Sequence, residues 1–311
     1  MYALTWMQMK FLSMSFREAM SDFFGKAGMP WHGVMFVRKP HGHETVSSGD
    51  YVVSYVDGLM ADKKEDGFAT LSAIYLAIKQ YKKDQPWIKH CEGFMSDGAG
   101  AYAGLVTTVG LSMIKELTSD ADPDDTDDWI QTHTNAQPQQ SERSCGVAIK
   151  AAYTGESGKG KSQLDSRFAV KGSKTRRLVA AGLHDILTPQ QLYEAVAMTI
   201  SSNNETAQLF QPDRSAGSTL DAQSIKQLVA MSHRTYEYDG LNGNGAFSGL
   251  RLRQQTNLGE GLFIPASQLR KAGAANFATP TVLGSTSGLP TTATPTAAPT
   301  AAPTAAPTAA P

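Results

Sequence analysis

The chain changes its period at Asp66, and that change constrains the fold more than any other feature. Before it, three apolar stretches follow the alternation of strands: 6–16 (WMQMKFLSMSF), 31–39 (WHGVMFVRK) and 51–60 (YVVSYVDGLM). Their short joints suggest an antiparallel meander. After it, 66–81 (DGFATLSAIYLAIKQY) has apolar residues at 68, 71, 74, 75 and 78, which is helical spacing, with Asp66 as N-cap. A strand then ends at Asp97 within WIKHCEGFMSDG, and a helix is expected over 99–117. A fifth strand covers 145–154, a basic helix 163–181, and a further helix starts near Pro189 with Thr188 as its cap. The expected architecture is α/β: a mixed five-stranded sheet flanked by helices.

Three stretches stand apart from this core. Residues 118–144, with the run SDADPDDTDD, read as an acidic surface insert. Residues 201–275 read as a small appended module whose HRTYEYDG and FSGLRLRQQTNLGEGLFIP segments supply short strands joined by Gly and Asn turns. Residues 276–311 run into repeated Pro-Thr-Ala-Ala units with no bulk to bury, so a disordered tail is expected. The core is then 1–200.

A net charge of -1 excludes a globally basic nucleic-acid binder, so only local charge can serve that purpose. Cys91 and Cys145 have no CxxC or CxH partner, so neither a zinc site nor a disulfide framework is expected. No apolar run is long enough to span a bilayer. The first residues do not have the layout of a signal peptide and read like the interior of a domain, as if the chain begins late. A reduced, intracellular setting is expected.

Two segments could carry chemistry. Asp97 ends the fourth strand in FMSDGAGAY, where Gly98 and Gly100 leave room beside a carboxylate. The bland alternative is that Asp97 caps the next helix. Residues 155–162 (GESGKGKS) fit the phosphate-loop pattern GxxxxGK[ST] between a strand and a helix. A nucleotide-binding fold would then need a further strand ending in Asp for magnesium, and none follows. The same stretch offers Asp165, in the first turns of the next helix, with Glu156 in reserve as carboxylates for a metal site. Around them Lys159, Lys161, Arg167, Lys171, Lys174, Arg176 and Arg177 form the densest basic run, with 167, 171 and 174 expected on one helical face. A basic helix beside an acidic site suits a phosphate backbone, although most such runs are solvated faces. His41 and His43 lie in a Gly/Pro loop open to adventitious metal, and His32 reads as structural.

Four blocks carry a resemblance: MKFLSMSFREAMSDFFGKAGMPWHGVMF, DGFATLSAIYLAIKQYKK, SDGAGAY and GESGKGKSQLDSRFAVKGSKTRRLV. Over residues 6–200 the chain resembles a protist and oomycete family of transposase-like proteins with a ribonuclease-H-like DDE/DDD core. The resemblance implies Mg2+ or Mn2+ chemistry on DNA, a nuclear location and a possible homo-oligomer. It places Asp97 as the second acidic metal ligand, Asp165 as the third with Glu156 in reserve, and Lys159 and Lys161 as the GKGK lysines. The first acid belongs on the first strand just before MKFL, where this chain has Thr5, Trp6, Met7 and Gln8. Loss of one carboxylate leaves two metal charges poorly neutralised, so weak or absent nuclease activity is expected from a truncated or decayed copy.

Overall fold

The computed structural model describes residues 2–12, 14, 28–42, 44, 51–96, 107, 110–111, 147–154, 163–214, 235–239, 248–253, 259–265, 267–268 and 280–288. β1 (Tyr2–Leu12), β2 (Gly28–Arg38) and β3 (Val52–Met60) form the expected antiparallel meander, with β1 running over 2–12 rather than 6–16. α1 (Gly67–Asp84) follows, and the carboxylate of its cap Asp66 accepts the Ala69 amide at 2.9 Å. The apolar run after α1 splits into β4 (His90–Cys91) and β5 (Gly93–Ser96). The stretch 145–154 splits likewise into β6 (Ala148–Ile149) and β7 (Ala151–Thr154). β4 and β6 pair with each other in a separate two-stranded sheet.

α2 (Gln163–Ala180) and α3 (Pro189–Ala197) match the expected helices. Thr188 caps α3 in a reciprocal box with Gln191, and Pro189 fills the first turn, where its missing N–H is harmless. The helix expected over 99–117 is described only at 107, 110 and 111, which are helical, and the insert 118–144 lies outside the described residues.

The sheet is twice as wide as the sequence suggests. Its ten strands run β11-β10-β9-β7-β5-β1-β2-β3-β8-β12, where β8 is Glu205–Gln211, β9 Thr235–Asp239, β10 Gly249–Arg253, β11 Leu262–Pro265 and β12 Thr281–Ser287. β5 runs parallel to β1, β7 parallel to β5, and β8 parallel to β3. Residues 201–275 are therefore no separate module, because their strands extend the core sheet at both sides. The tail also begins later than expected, since Thr281–Ser287 pairs antiparallel with β8. Thr281, Val282 and Thr286 are β-branched, and pairing satisfies backbone groups that no side-chain burial could compensate.

Two cores flank the sheet. On one face α1 buries Ile74 and Ile78 against Val34, Phe36 and Val56, and Phe36 stacks on Tyr81 with centroids 4.2 Å apart. On the other, Met29, Trp31 and Leu59 meet Phe168 of α2 and Leu192 and Val196 of α3. α2 lies so close to the sheet that a Cβ on Gly33 would come within 2.6 Å of the Phe168 ring. Arg214, after β8, ties the start of α1 to the sheet through Asp62, Asp66 and the Lys64 carbonyl.

His32 sits inside this structure on β2, between Gln8 and Gly58, and burial lowers its pKa to about 4. The folded protein thus declines a proton that the unfolded chain accepts near pH 6.5. Stability should fall by about 3 kcal/mol as pH drops from about 6.5 to about 4. The depressed carboxylates, among them Glu44 lowered from 4.5 to about 2, begin to contribute only at the acid end of that window. Urea midpoints measured across the window should decline in the wild type and flatten in His32→Gln.

Candidate functional site

The three chain segments expected to carry acids approach one another at an irregularity in β1. Leu4 pairs with Met95 of β5, two residues before Asp97 in sequence. One step further along β1, the register against β2 shifts between Thr5 and Met7, so β1 holds an extra residue there. Met7 pairs with Gly33, and a Cβ on Gly33 would lie 3.3 Å from Leu164, the residue before Asp165. Asp165 stands in the first turn of α2, half-buried, where a carboxylate also suits the helix dipole. The irregular part of β1 is therefore flanked by the end of β5 and the start of α2. Between Tyr2 and Leu12 β1 contains neither Asp nor Glu.

Asp97, Glu156, Lys159 and Lys161 lie outside the described residues, as does the whole phosphate-loop segment 155–162. Among the described residues no group of three or more His, Cys, Asp or Glu side chains is placed to hold a metal ion. His41 stacks on Trp87 with centroids 4.1 Å apart, and His43 lies outside the described residues.

The basic run divides in two. Lys174, Arg176 and Arg177 are exposed on α2. Arg167 and Lys171 do not join that face, because both turn into the protein onto Asp57 of β3. Arg167 grips the Asp57 carboxylate with two hydrogen bonds of 2.7 Å each, and Lys171 adds a third at 2.8 Å. The indole of Trp31 donates a fourth at 3.1 Å. Lys171 also meets Glu205 of β8 at 2.9 Å, and the Arg167 guanidinium lies 4.3 Å above the Tyr55 ring. The expectation that 167 and 171 contact a phosphate backbone is thus corrected: their charges are already matched inside. Lys171 is 3% exposed. It falls on the inward stripe Leu164, Phe168, Lys171, Thr175 and Val179, whose helical spacing fixes which way it points.

The electrostatics of this cluster favour ionisation of Asp57. Burial pushes its pKa up, but Arg167 and Lys171, by charge and hydrogen bond, outweigh burial and hold it well below the usual carboxylate range. Burial lowers the Arg167 pKa, and Asp57 more than reverses that. Two anions and two cations balance. The cluster acts as a clamp fixing α2 to β3 and β8.

Compared with known proteins, the chain matches no family model, no curated protein and no solved structure. No described helix is long and apolar enough to cross a membrane.

Removing the anion strands two buried cations. Asp57→Asn should lower unfolding stability by about 3–5 kcal/mol, read from urea denaturation. In that background Lys171→Met should be far less damaging than in the wild type, a coupling that a double-mutant cycle measures. Additive losses would show that the clamp does not act as a unit.

Proposed function

We propose that the chain is a transposase-derived domain of ribonuclease-H-like fold that engages DNA but no longer completes two-metal phosphodiester transfer. The strand arrangement supports this reading: a three-stranded antiparallel meander, then parallel β5 and β7, with helices after β3 and β7. The observation that carries it is β1 itself. Where the end of β5 and the start of α2 flank this strand, an acid would complete the site, and the strand has none.

Mg2+ or Mn2+ would draw on Asp97 and Asp165, with Glu156 in reserve. That donor set does not fit a two-metal centre, because the carboxylate that β1 should add is missing. No chemical step is therefore assigned to the site. The exposed Lys174, Arg176 and Arg177 would contact phosphates, supplemented by Lys159 and Lys161 from the preceding segment. A nuclear location would follow from a DNA partner.

Purified full-length protein should not cleave duplex DNA with either metal, and should bind it in a salt-sensitive way. Lys174→Glu with Arg177→Glu should weaken duplex binding about tenfold and reduce the salt slope by about two. Efficient magnesium-dependent cleavage that disappears in Asp97→Asn would overturn the loss of chemistry. An absence of duplex binding at low salt would overturn the reading altogether.

A further inference from the structure

The chain crosses its whole sheet to place its last strand. β11 and β12 stand at opposite margins of the ten-stranded sheet, nine strand spacings apart. At about 4.8 Å per spacing they are separated by about 43 Å, measured along the sheet. Only residues 266–280 join Pro265, which ends β11, to Thr281, which begins β12. Ser267 and Gln268 are helical, so they advance the chain by only about 1.5 Å each. With every other joining residue fully extended, the reach is about 50 Å. The faces to be passed are not clear. α1 lies on β2 and β3 on one side, while α2 lies on β1 and β2 and α3 on β3 and β8 on the other. A helix is about 10 Å thick, so a path lifted over either layer uses up the remaining slack.

The seat that receives β12 is specific but shallow. The strand is held by its ladder to β8 and by a 2.7 Å hydrogen bond between Thr286 and the Tyr193 hydroxyl of α3. Gly284 lets it lie close on α3, since a Cβ there would come within 3.0 Å of the Tyr193 ring. Val282 and Leu283 stay 44% and 54% exposed, so release of the strand gives up little apolar burial. None of these contacts involves β9, β10 or β11, and all are the same whichever copy of the chain supplies the strand. β8 in turn needs a partner there. Its side chains are buried from Thr206 to Phe210, and without β12 its outer backbone edge is unpaired among the described strands.

We infer that β12 is exchanged between two copies of the chain, each laying Thr281–Ser287 along the β8 edge of the other. A tether favours closure within one chain only while it spans its two ends with slack to spare. One drawn close to its limit loses that advantage, and short hinges under strain invite exchange of the element beyond them. Pro280, buried just before β12, stiffens the hinge further by fixing its own φ. In the exchanged pair the joining segment no longer has to cross its own sheet. Reciprocal exchange fills both β8 edges and closes with two-fold symmetry, so no edge is left to propagate. The inference does not draw on the polynucleotide reading above, and either can fail without the other.

The test uses the full chain. Gln211 and Thr281 are register partners across the β8–β12 ladder, a separation that a disulfide can bridge. Gln211→Cys and Thr281→Cys chains, unfolded, refolded together and oxidised, should give a covalent dimer on a non-reducing denaturing gel. Either variant alone should not. The double variant should also run as a covalent dimer. A double variant that runs as a monomer with both new thiols consumed would place β12 on its own chain and overturn the inference. Light scattering on the wild type, which needs no substitution to fold, should give twice the 33.3 kDa of one chain. Inserting about ten Gly/Ser residues after Gly273 should restore slack and raise the dimer dissociation constant at least about tenfold. A wild type that is monomeric at micromolar concentration, or a dimer that the insertion leaves unchanged, overturns the inference as well.

Discussion

One buried carboxylate decides where α2 can sit. Asp57 lies 110 residues before Arg167 and 114 before Lys171, yet it receives three hydrogen bonds from them. Few apolar side chains help it: α2 buries Leu164, Phe168 and Val179, and its remaining buried positions are Lys171, Gly172 and Thr175. Burial of three such side chains contributes roughly 5–9 kcal/mol before ordering entropy is subtracted. A helix so thinly apolar owes its register to the charge cluster. The start of α2, with Asp165, is held beside β1 for the same reason.

Glu205 makes the arrangement tolerable. One carboxylate facing two cations would leave a buried excess charge, and the second anion from β8 removes it. Strand β8 is thereby part of the same device, although it lies some 30 residues beyond Lys171 in the chain. The two anions come from β3 and β8 and both cations from α2, so loss of any one leaves a charge stranded on another.

Much of the core was legible because period and capping agreed. Asp66 before GFATLSAIYL, and Thr188 before PQQL, each marked a helix start that the structure retains. The meander and the positions of β5 and β7 followed from apolar runs with turn residues between them, whereas their parallel pairing was not readable there. Other features were hidden for physical reasons. β8 is short and buried on both faces, so ETAQLFQ shows no clean alternation. β12 was hidden by composition, because its Thr, Ser and Gly residues resemble the tail they precede. The inward direction of Lys171 was readable from the stripe Leu164, Phe168, Thr175 and Val179. Spacing to Arg167 and Lys174 offered a competing face, and charge favoured it. Asp57 had a weaker signal: a lone acid inside YVVSYVDGLM. Of the candidate site, the missing β1 acid was visible in sequence, but the register shift beside it was not.

The widening of the sheet has a consequence for synthesis. β8 and β12 flank β3, and β9, β10 and β11 flank β7, yet all five strands come from the final third of the chain. A nascent chain that has left the ribosome only as far as α3 presents β3 and β7 as bare hydrogen-bonding edges. Asp57 would also face its two cations without Glu205. Such edges recruit other chains readily. Long-range pairing of this kind also closes slowly. Until those strands emerge the two edges stay open to pairing with other chains, and a chain ending near residue 200 would expose them permanently.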